Sequence, residues 1–253
     1  MNKKCFLLVT MLVAAGALNQ ASAAVMTVDN STPGVIVQTY DSGAFQPGVP
    51  SVIPILFEQF DTLGGTRTLL SVTVTVTQSA WGGYYAVDND GATAASVTVQ
   101  HGATGSISMT PGYEFFLPVG ALSTLSTVVS SGGAQVLAAN TVDNDAVDVY
   151  NEGGADSYRL NGPTEGNALL ANATGSRTTG LEAYIGAGNL SLDYTVSQSS
   201  MHLGEGAVYY SGGPAWVHSE IIVTYEYTPE PTSLALFVFG CAALGLRRRK
   251  HTA

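Results

Sequence analysis

Residues 70–77 read Leu-Ser-Val-Thr-Val-Thr-Val-Thr, so that an aliphatic side chain alternates with a hydroxyl side chain at every step. Successive side chains of a β-strand point to opposite faces of the sheet, so this alternation predicts a half-buried strand with a threonine-rich solvent face. The alternation recurs twice towards the C-terminus, in the sets Leu190, Leu192, Tyr194, Val196 and Ile221, Val223, Tyr225, Tyr227. The strict period of two predicts a β fold.

Less regular alternation predicts further strands around this segment, at 35–40, 95–100, 105–109, 113–119, 124–130, 135–139 and 181–185. Many of the 29 glycines fall between these strands, and segment 24–228 has no apolar period of helical type and length. We therefore expect one all-β domain over 24–228, an antiparallel β-sandwich compatible with a jelly-roll topology. A β-helix is the alternative, and the lack of a fixed-period repeat argues against it.

The first 23 residues have the layout of a secretory signal peptide. Lys3 and Lys4 precede the apolar run 5–15, and Ala21-Ser22-Ala23 offers the small side chains of a cleavage site. We expect signal peptidase to cut after Ala23. The alternatives are an uncleaved N-terminal anchor and a lipoprotein. The short apolar run argues against the first, and the lack of a cysteine at the cleavage point argues against the second.

Residues 229–253 combine three features in order. Pro229-Glu230-Pro231 comes first, a short transmembrane helix is predicted over 232–246, and the basic residues Arg247, Arg248, Arg249 and Lys250 follow. The apolar part, 234–246, rises only about 20 Å as a helix, less than the ~30 Å hydrocarbon core. The basic residues hold the tail on the cytoplasmic side, and their long stems extend the span.

This three-part order resembles the PEP-CTERM sorting signal of bacterial exported proteins. The resemblance implies that Pro229, Glu230 and Pro231 are recognised by an exosortase, a membrane-embedded cysteine transpeptidase that removes the tail. It also implies a source among bacteria that make extracellular polysaccharide. The resemblance assigns the three residues a role in recognition and none in catalysis.

The exported part is more acidic than the whole chain, whose formal net charge is −10. Without residues 1–23 and everything after Pro231, three of the nine basic and all nineteen acidic residues remain, a net charge of −16. Such a surface repels nucleic acid and anionic lipid headgroups, so we expect neither as a partner. Cys5 and Cys241 also lie in the terminal segments, so the exported domain has no disulfide and no cysteine nucleophile.

Four segments of the domain resemble the choice-of-anchor E family. They are 58–66 running into the strand 69–77, an asparagine-centred turn at 87–90, the segment 183–188 and the closing strand 222–227. The resemblance spans roughly 35–227. It implies an exported bacterial domain that occurs with different C-terminal anchors, PEP-CTERM among them, and that has no established biochemical activity. Gly64-Gly65 and the irregular region 140–180 depart from the family pattern.

The tetrapeptide Val-Asp-Asn-Asp occurs twice and makes Asp88, Asp90, Asp143 and Asp145 candidate calcium ligands. Carboxylate and amide oxygens are the hard ligands that Ca²⁺ prefers, but this spacing is not that of an EF-hand. Aspartate and asparagine are also the residues that tight turns select. The sequence favours solvated turns, leaves calcium as an alternative and predicts no cofactor.

No catalytic constellation is recognisable in the sequence. His101, His202 and His218 lack zinc-motif spacing and are expected at the surface or in turns. A Gly-x-Ser-x-Gly elbow is absent, and nothing selects one pair of carboxylates for glycoside cleavage. We therefore expect a protein that is not an enzyme.

Six aromatic residues lie beside glycine-rich segments: Trp81, Tyr84, Tyr85, Tyr209, Tyr210 and Trp216. Exposed aromatic rings stack on sugar rings, whereas buried ones close the ends of a sandwich, and the second interpretation is favoured because aromatic burial dominates packing. Both interpretations place these residues at the ends of the domain.

These observations predict an exported, non-enzymatic protein of the cell surface or of the extracellular matrix of the biofilm. We expect it to be a membrane-anchored precursor first and a cell-surface or extracellular product after processing. The expected partners are signal peptidase and exosortase during processing, the membrane through helix 232–246 before processing, and extracellular polysaccharide. The alternatives are a secreted glycan-active hydrolase and a calcium-stabilised carbohydrate-binding module.

Overall fold

A computed structural model describes residues 19–20, 25–48, 51–109, 124–140, 150, 152–205 and 208–228. Within these residues the strands are, in chain order, β1 (Asn19–Gln20), β2 (Val25–Asp29), β3 (Val35–Gln46), β4 (Ser51–Glu58), β5 (Thr68–Trp81), β6 (Tyr84–Asn89), β7 (Ala95–Met109), β8 (Thr124–Ser130), β9 (Gln135–Leu137), β10 (Ser157–Asn161), β11 (Leu169–Arg177), β12 (Asn189–Gln198), β13 (Met201–Glu205), β14 (Val208–Gly213) and β15 (Trp216–Thr228). Two short 3-10 helices, Glu165–Asn167 and Glu182–Tyr184, accompany them.

Two large antiparallel sheets form the domain. The first has the order β1-β3-β15-β5-β11, with β2 also paired to β3. In the second sheet, β12 and β13 pair with successive parts of one edge of β7, and β8 and β9 pair with its other edge. Strand β4 pairs with the far side of β12. Strand β15 lies between β3 and β5 and pairs with β5 from Trp216–Trp81 to Thr228–Thr68.

The core lies between these two sheets. On β5, the aliphatic side chains of Val72, Val74 and Val76 are buried, while the intervening threonines remain partly exposed. The valines belong to one cluster with Leu192 and Tyr194 of β12, in the opposite sheet. The prediction of an all-β fold with antiparallel sheets is therefore confirmed, and the alternation on β5 separates a core face from an outer face.

A smaller sheet of order β10-β6-β14 continues the first sheet beyond a corner, formed by residues 82–83, 162–163 and 214–215. Strand β5 passes into β6 through Gly82 and Gly83, whose φ angles of 65° and 68° favour glycine. At Gly162 a Cβ would collide with the carbonyl group of Gly82. The small sheet packs on the first half of β7 through a second core cluster that includes Tyr85 and Val97.

Several strand predictions need correction. Segment 181–185 is not a strand. Its residues Glu182–Tyr184 form a 3-10 helix, in which Tyr184 alone is buried, so burial does not alternate along the segment as predicted. Segments 95–100 and 105–109 form one continuous strand, β7. The strands predicted from 35, 124 and 135 are present as β3, β8 and β9, while 113–119 lies outside the described residues.

Candidate functional site

A groove lies on the outer face of the first sheet, next to the corner. Its volume is about 580 Å³, and its lining includes Asp41, Ser79, Trp81, Glu165, Leu170 and His218. We call it the outer-face groove. Four neighbouring strands supply most of this lining, and the 3-10 helix Glu165–Asn167 adds a carboxylate at the side.

Strand register brings the groove residues together. Ser79 of β5 is the register partner of both His218 on β15 and Leu170 on β11. Trp81 follows two positions later on the same face of β5. Leu170 is 72% exposed, an apolar side chain at the border of the groove. The groove thus combines an indole, an aliphatic side chain and polar groups on one rigid surface.

The polar groups of the outer-face groove form short contacts. His218 Nε2 lies 2.7 Å from Asp41 Oδ1, and the same oxygen accepts a hydrogen bond from the Gly43 amide at 2.8 Å. The hydroxyl of Ser79 donates to the main-chain oxygen of His218 at 3.3 Å, not to its imidazole. A serine-histidine-aspartate relay would require the hydroxyl to contact the imidazole, so this arrangement does not activate Ser79 as a nucleophile.

A second groove opens on the other side of the corner, with a volume of about 480 Å³. Tyr84, Tyr85, Gln198, Ser200 and Tyr210 are among its lining residues. We call it the side groove. The Tyr85 and Tyr210 rings stack with centroids 5.9 Å apart, and the Tyr85 hydroxyl lies 3.2 Å from His202 Nδ1. Burial, followed by the nearby Tyr210, raises the pKa of Tyr85.

The candidate aromatic residues divide between the two interpretations. Tyr85 is buried in the core cluster of the small sheet, as favoured from the sequence. Tyr210 is instead 60% exposed, and Trp81, Trp216 and Tyr84 are partly exposed. The guanidinium of Arg159 lies over the Tyr84 ring at 4.0 Å. The Tyr209 side chain lies outside the described part of the structure.

His101 departs from its predicted surface position. It lies on β7 at 1% exposure, with Nδ1 2.8 Å from the Ser200 hydroxyl and Nε2 3.1 Å from the Gly82 carbonyl oxygen. Since a carbonyl only accepts, Nε2 carries the proton and Nδ1 accepts from Ser200 in the neutral imidazole. Burial lowers the pKa of His101, and the Gly82 hydrogen bond partly opposes this shift. His101 therefore links the second sheet to the corner.

The expectation of a solvated turn is wrong for Asp88. Asp88 and Asn89 are the last residues of β6, and both are fully buried. The turn begins only after them, where Asn89 Oδ1 accepts a hydrogen bond from the Gly91 amide at 3.1 Å. Asp156 is also fully buried, and its carbonyl oxygen accepts the Asn89 amide at 3.0 Å. Asp90 lies in the turn and is partly exposed.

The calcium hypothesis stays a prediction. Asp143 and Asp145 lie outside the described residues. Among the residues that are described, no group of three histidine, cysteine or acidic side chains is arranged to hold a metal ion.

The predicted processing sites also lie outside the described residues. They are Ala21 and Ala23 of the signal cleavage site, Pro229 to Pro231 of the sorting motif, helix 232–246 and the basic tail 247–250. Asn19–Gln20, inside the predicted signal peptide, pairs with Gln46 and Phe45 of β3. Over the described ranges, no helix has the length and apolar character to cross a membrane.

No model of a known protein family matches the chain, and no curated protein matches it either.

Proposed function

We propose that this chain is an exported, non-enzymatic surface or matrix protein, processed by signal peptidase and an exosortase, that associates with extracellular polysaccharide. The observation that carries the proposal is the order of signals at the C-terminus: the Pro229–Pro231 motif, an apolar segment and a basic cluster. The position of β15 supports it, because this central strand ends at Thr228, directly before the motif. The tail can be removed at the motif without taking a strand from the core.

Expression in the native host tests the export and sorting steps. We expect a mature protein that begins after Ala23, lacks the basic tail and co-fractionates with the envelope or matrix. Replacing Glu230 with alanine should leave the tail attached and the protein in the membrane fraction, whereas replacing the exposed Glu226, just inside β15, should not. A cytosolic product with its original first residue contradicts the proposal.

Retention on polysaccharide tests the matrix role. The purified protein should bind the exopolysaccharide of the producer, and deletion of the gene should weaken the matrix or adhesion. Unchanged adhesion and matrix after deletion would argue against the role.

A glycan hydrolase is the second candidate, and one observation favours it: the carboxylates of Asp41 and Glu165 line the same groove. Glycosidases use a pair of carboxyl groups on either side of the scissile bond. A screen of the purified protein on polysaccharides separates the candidates. Turnover that Asp41→Asn or Glu165→Gln abolishes would establish the hydrolase, whereas binding without turnover supports the non-enzymatic proposal.

A further inference from the structure

The outer face of β5 forms a row of small hydroxyl side chains that ends in an indole. Thr73, Thr75, Thr77, Ser79 and Trp81 alternate with the core-facing residues of the same strand. At about 3.4 Å per residue, the row spans roughly 27 Å. An extended ligand would therefore meet the three threonine hydroxyls before it reaches the indole, while Ser79, at 9% exposure, lies almost entirely below the surface.

Neighbouring strands widen this row. The Thr73 hydroxyl donates to Ser176 at 2.9 Å, and Thr75 and Thr174 are 3.2 Å apart, both across to β11. A hydroxyl has one donor and two acceptor positions, so each pair keeps positions for a further hydrogen bond. On the other side of β5, β15 continues the hydroxyl surface only at Thr224, the register partner of Thr73. Ile222 and Glu220 lie opposite Thr75 and Thr77.

The outer-face groove lies at the Trp81 end of the row. Trp81 and Leu170 provide apolar surface, while Asp41 and Glu165 provide hydrogen-bond acceptors at its sides. Sugar rings present both an apolar face and hydroxyl donors, and aromatic side chains with a few convergent polar groups are typical of ligand pockets.

The charge of the groove restricts the ligand. Its described lining contains two carboxylates, one of them in contact with His218, and neither lysine nor arginine. The exported part has a net charge of −16. A polysaccharide rich in uronic acid, sulfate or phosphate would be repelled by this surface. A neutral chain pays no such penalty and can donate its hydroxyl protons to the carboxylates.

Building on the proposed association with polysaccharide, we infer that the outer-face groove and the β5 hydroxyl row bind a neutral polysaccharide chain. Trp81 stacks on one sugar ring, Glu165 accepts hydrogen bonds from its hydroxyls, and the chain continues along the row towards Thr73. The side groove on the other side of the corner has no part in this binding.

The test uses the protein as its host exports it. The exopolysaccharide of the producer is separated by anion exchange into neutral and acidic fractions, and each is immobilised for binding measurements. We expect the protein to bind the neutral fraction more tightly. Trp81→Ala should weaken this binding about tenfold, and Glu165→Ala, at an exposed position, should weaken it several-fold. Tyr210→Ala, which removes the exposed ring of the side groove, is the matched control and should bind normally.

Three outcomes overturn the inference: preference for the acidic fraction, loss of binding in Tyr210→Ala, or normal binding in both groove variants. Thermal melts identify a variant that fails to fold. If Trp81→Ala fails to fold, the binding of Glu165→Ala tests the inference, because the Glu165 side chain lies on the surface. If the wild-type protein binds neither fraction, the inference and the matrix role both fail, while export and sorting are judged by fractionation. If the wild type binds but the groove variants bind equally well, only the site is wrong.

Discussion

The hydroxyl of Tyr194 donates a hydrogen bond to Gln78 Oε1 at 2.6 Å, joining the two large sheets at a point where both side chains are fully buried. The Ser219 hydroxyl lies 2.6 Å from the same phenol oxygen, and Gln78 Nε2 donates to Thr127 Oγ1 at 2.7 Å. Burial raises the pKa of Tyr194, so the phenol stays a donor throughout the physiological range. This network fixes one alignment of the two sheets.

Tyr194→Phe should lower the free energy of unfolding by about 1–3 kcal/mol, because it leaves the buried amide oxygen of Gln78 without its donor. Denaturant unfolding measures the loss. Tyr210→Phe makes the same chemical change on a ring that is 60% exposed and should have little effect. Equal effects of the two variants would contradict the role of the network.

The stability of the protein should fall as the pH drops below about 6.5, in part because of His101. Its pKa is lower in the folded than in the unfolded chain, so the unfolded chain binds more protons over that interval and acid favours unfolding. The stability contribution of the neutral imidazole is present above the unfolded pKa and lost as the pH falls towards the folded one. Between pH 7.5 and pH 5.5, the melting temperature of His101→Gln should decrease less than that of the wild-type protein. An equal decrease in both proteins would contradict the role of His101 in the pH dependence.

Leu63→Asn should stabilise the protein by about 0.5–1 kcal/mol. Leu63 has a φ of 47°, in the left-handed region where the Cβ of an L-residue crowds the following carbonyl oxygen and which asparagine tolerates better than leucine. It lies in an exposed loop, so few contacts are lost. Leu63→Ala keeps the strain and should give no gain in melting temperature. A gain of equal size in both variants would mean that the leucine side chain, not the backbone, is unfavourable.

Gly162→Ala should destabilise the protein by about 3 kcal/mol or more, since its Cβ would collide with the carbonyl group of Gly82 at the corner. Gly166→Ala is the matched control, because a Cβ there meets no atom within 4 Å. Thermal melts of the two variants should therefore differ clearly. Similar melting temperatures would show that the corner relaxes around the added methyl group.

If the Val-Asp-Asn-Asp segments hold calcium, EDTA should lower the melting temperature, and excess Ca²⁺ should restore it. The corresponding change in the free energy of unfolding should be about 1 kcal/mol. Asp88→Asn should then remove the response to calcium. An unchanged melt in EDTA would end the calcium hypothesis.

The sequence predicts the strands in which apolar and polar residues follow the alternation of burial, and it fails where residue type and burial do not correspond. On β5 the predicted alternation holds from Val72 to Thr77. It is wrong at Leu70, which is exposed, and at Ser71, which is buried, next to a register shift between β5 and β15. The sequence does not predict β11, because most residues on both of its faces are polar or small. It does not predict β4, because Pro54 lies in the middle of that strand, a position that an edge strand allows. At the candidate site, Trp81 stands out beside its glycines, but Asp41 and Glu165 do not, because only the sheet register and the 3-10 helix bring them to the groove.

Strand β15 occupies the middle of the first sheet, yet it is the last strand of the described chain. During synthesis, β3 and β5 leave the ribosome long before the strand that joins them. The sheet therefore cannot close until residue 228 has emerged, and most contacts of the core are long-range in sequence. On the export route proposed above, β3 and β5 enter the translocation pore before β15, so this sheet closes only on the far side of the membrane.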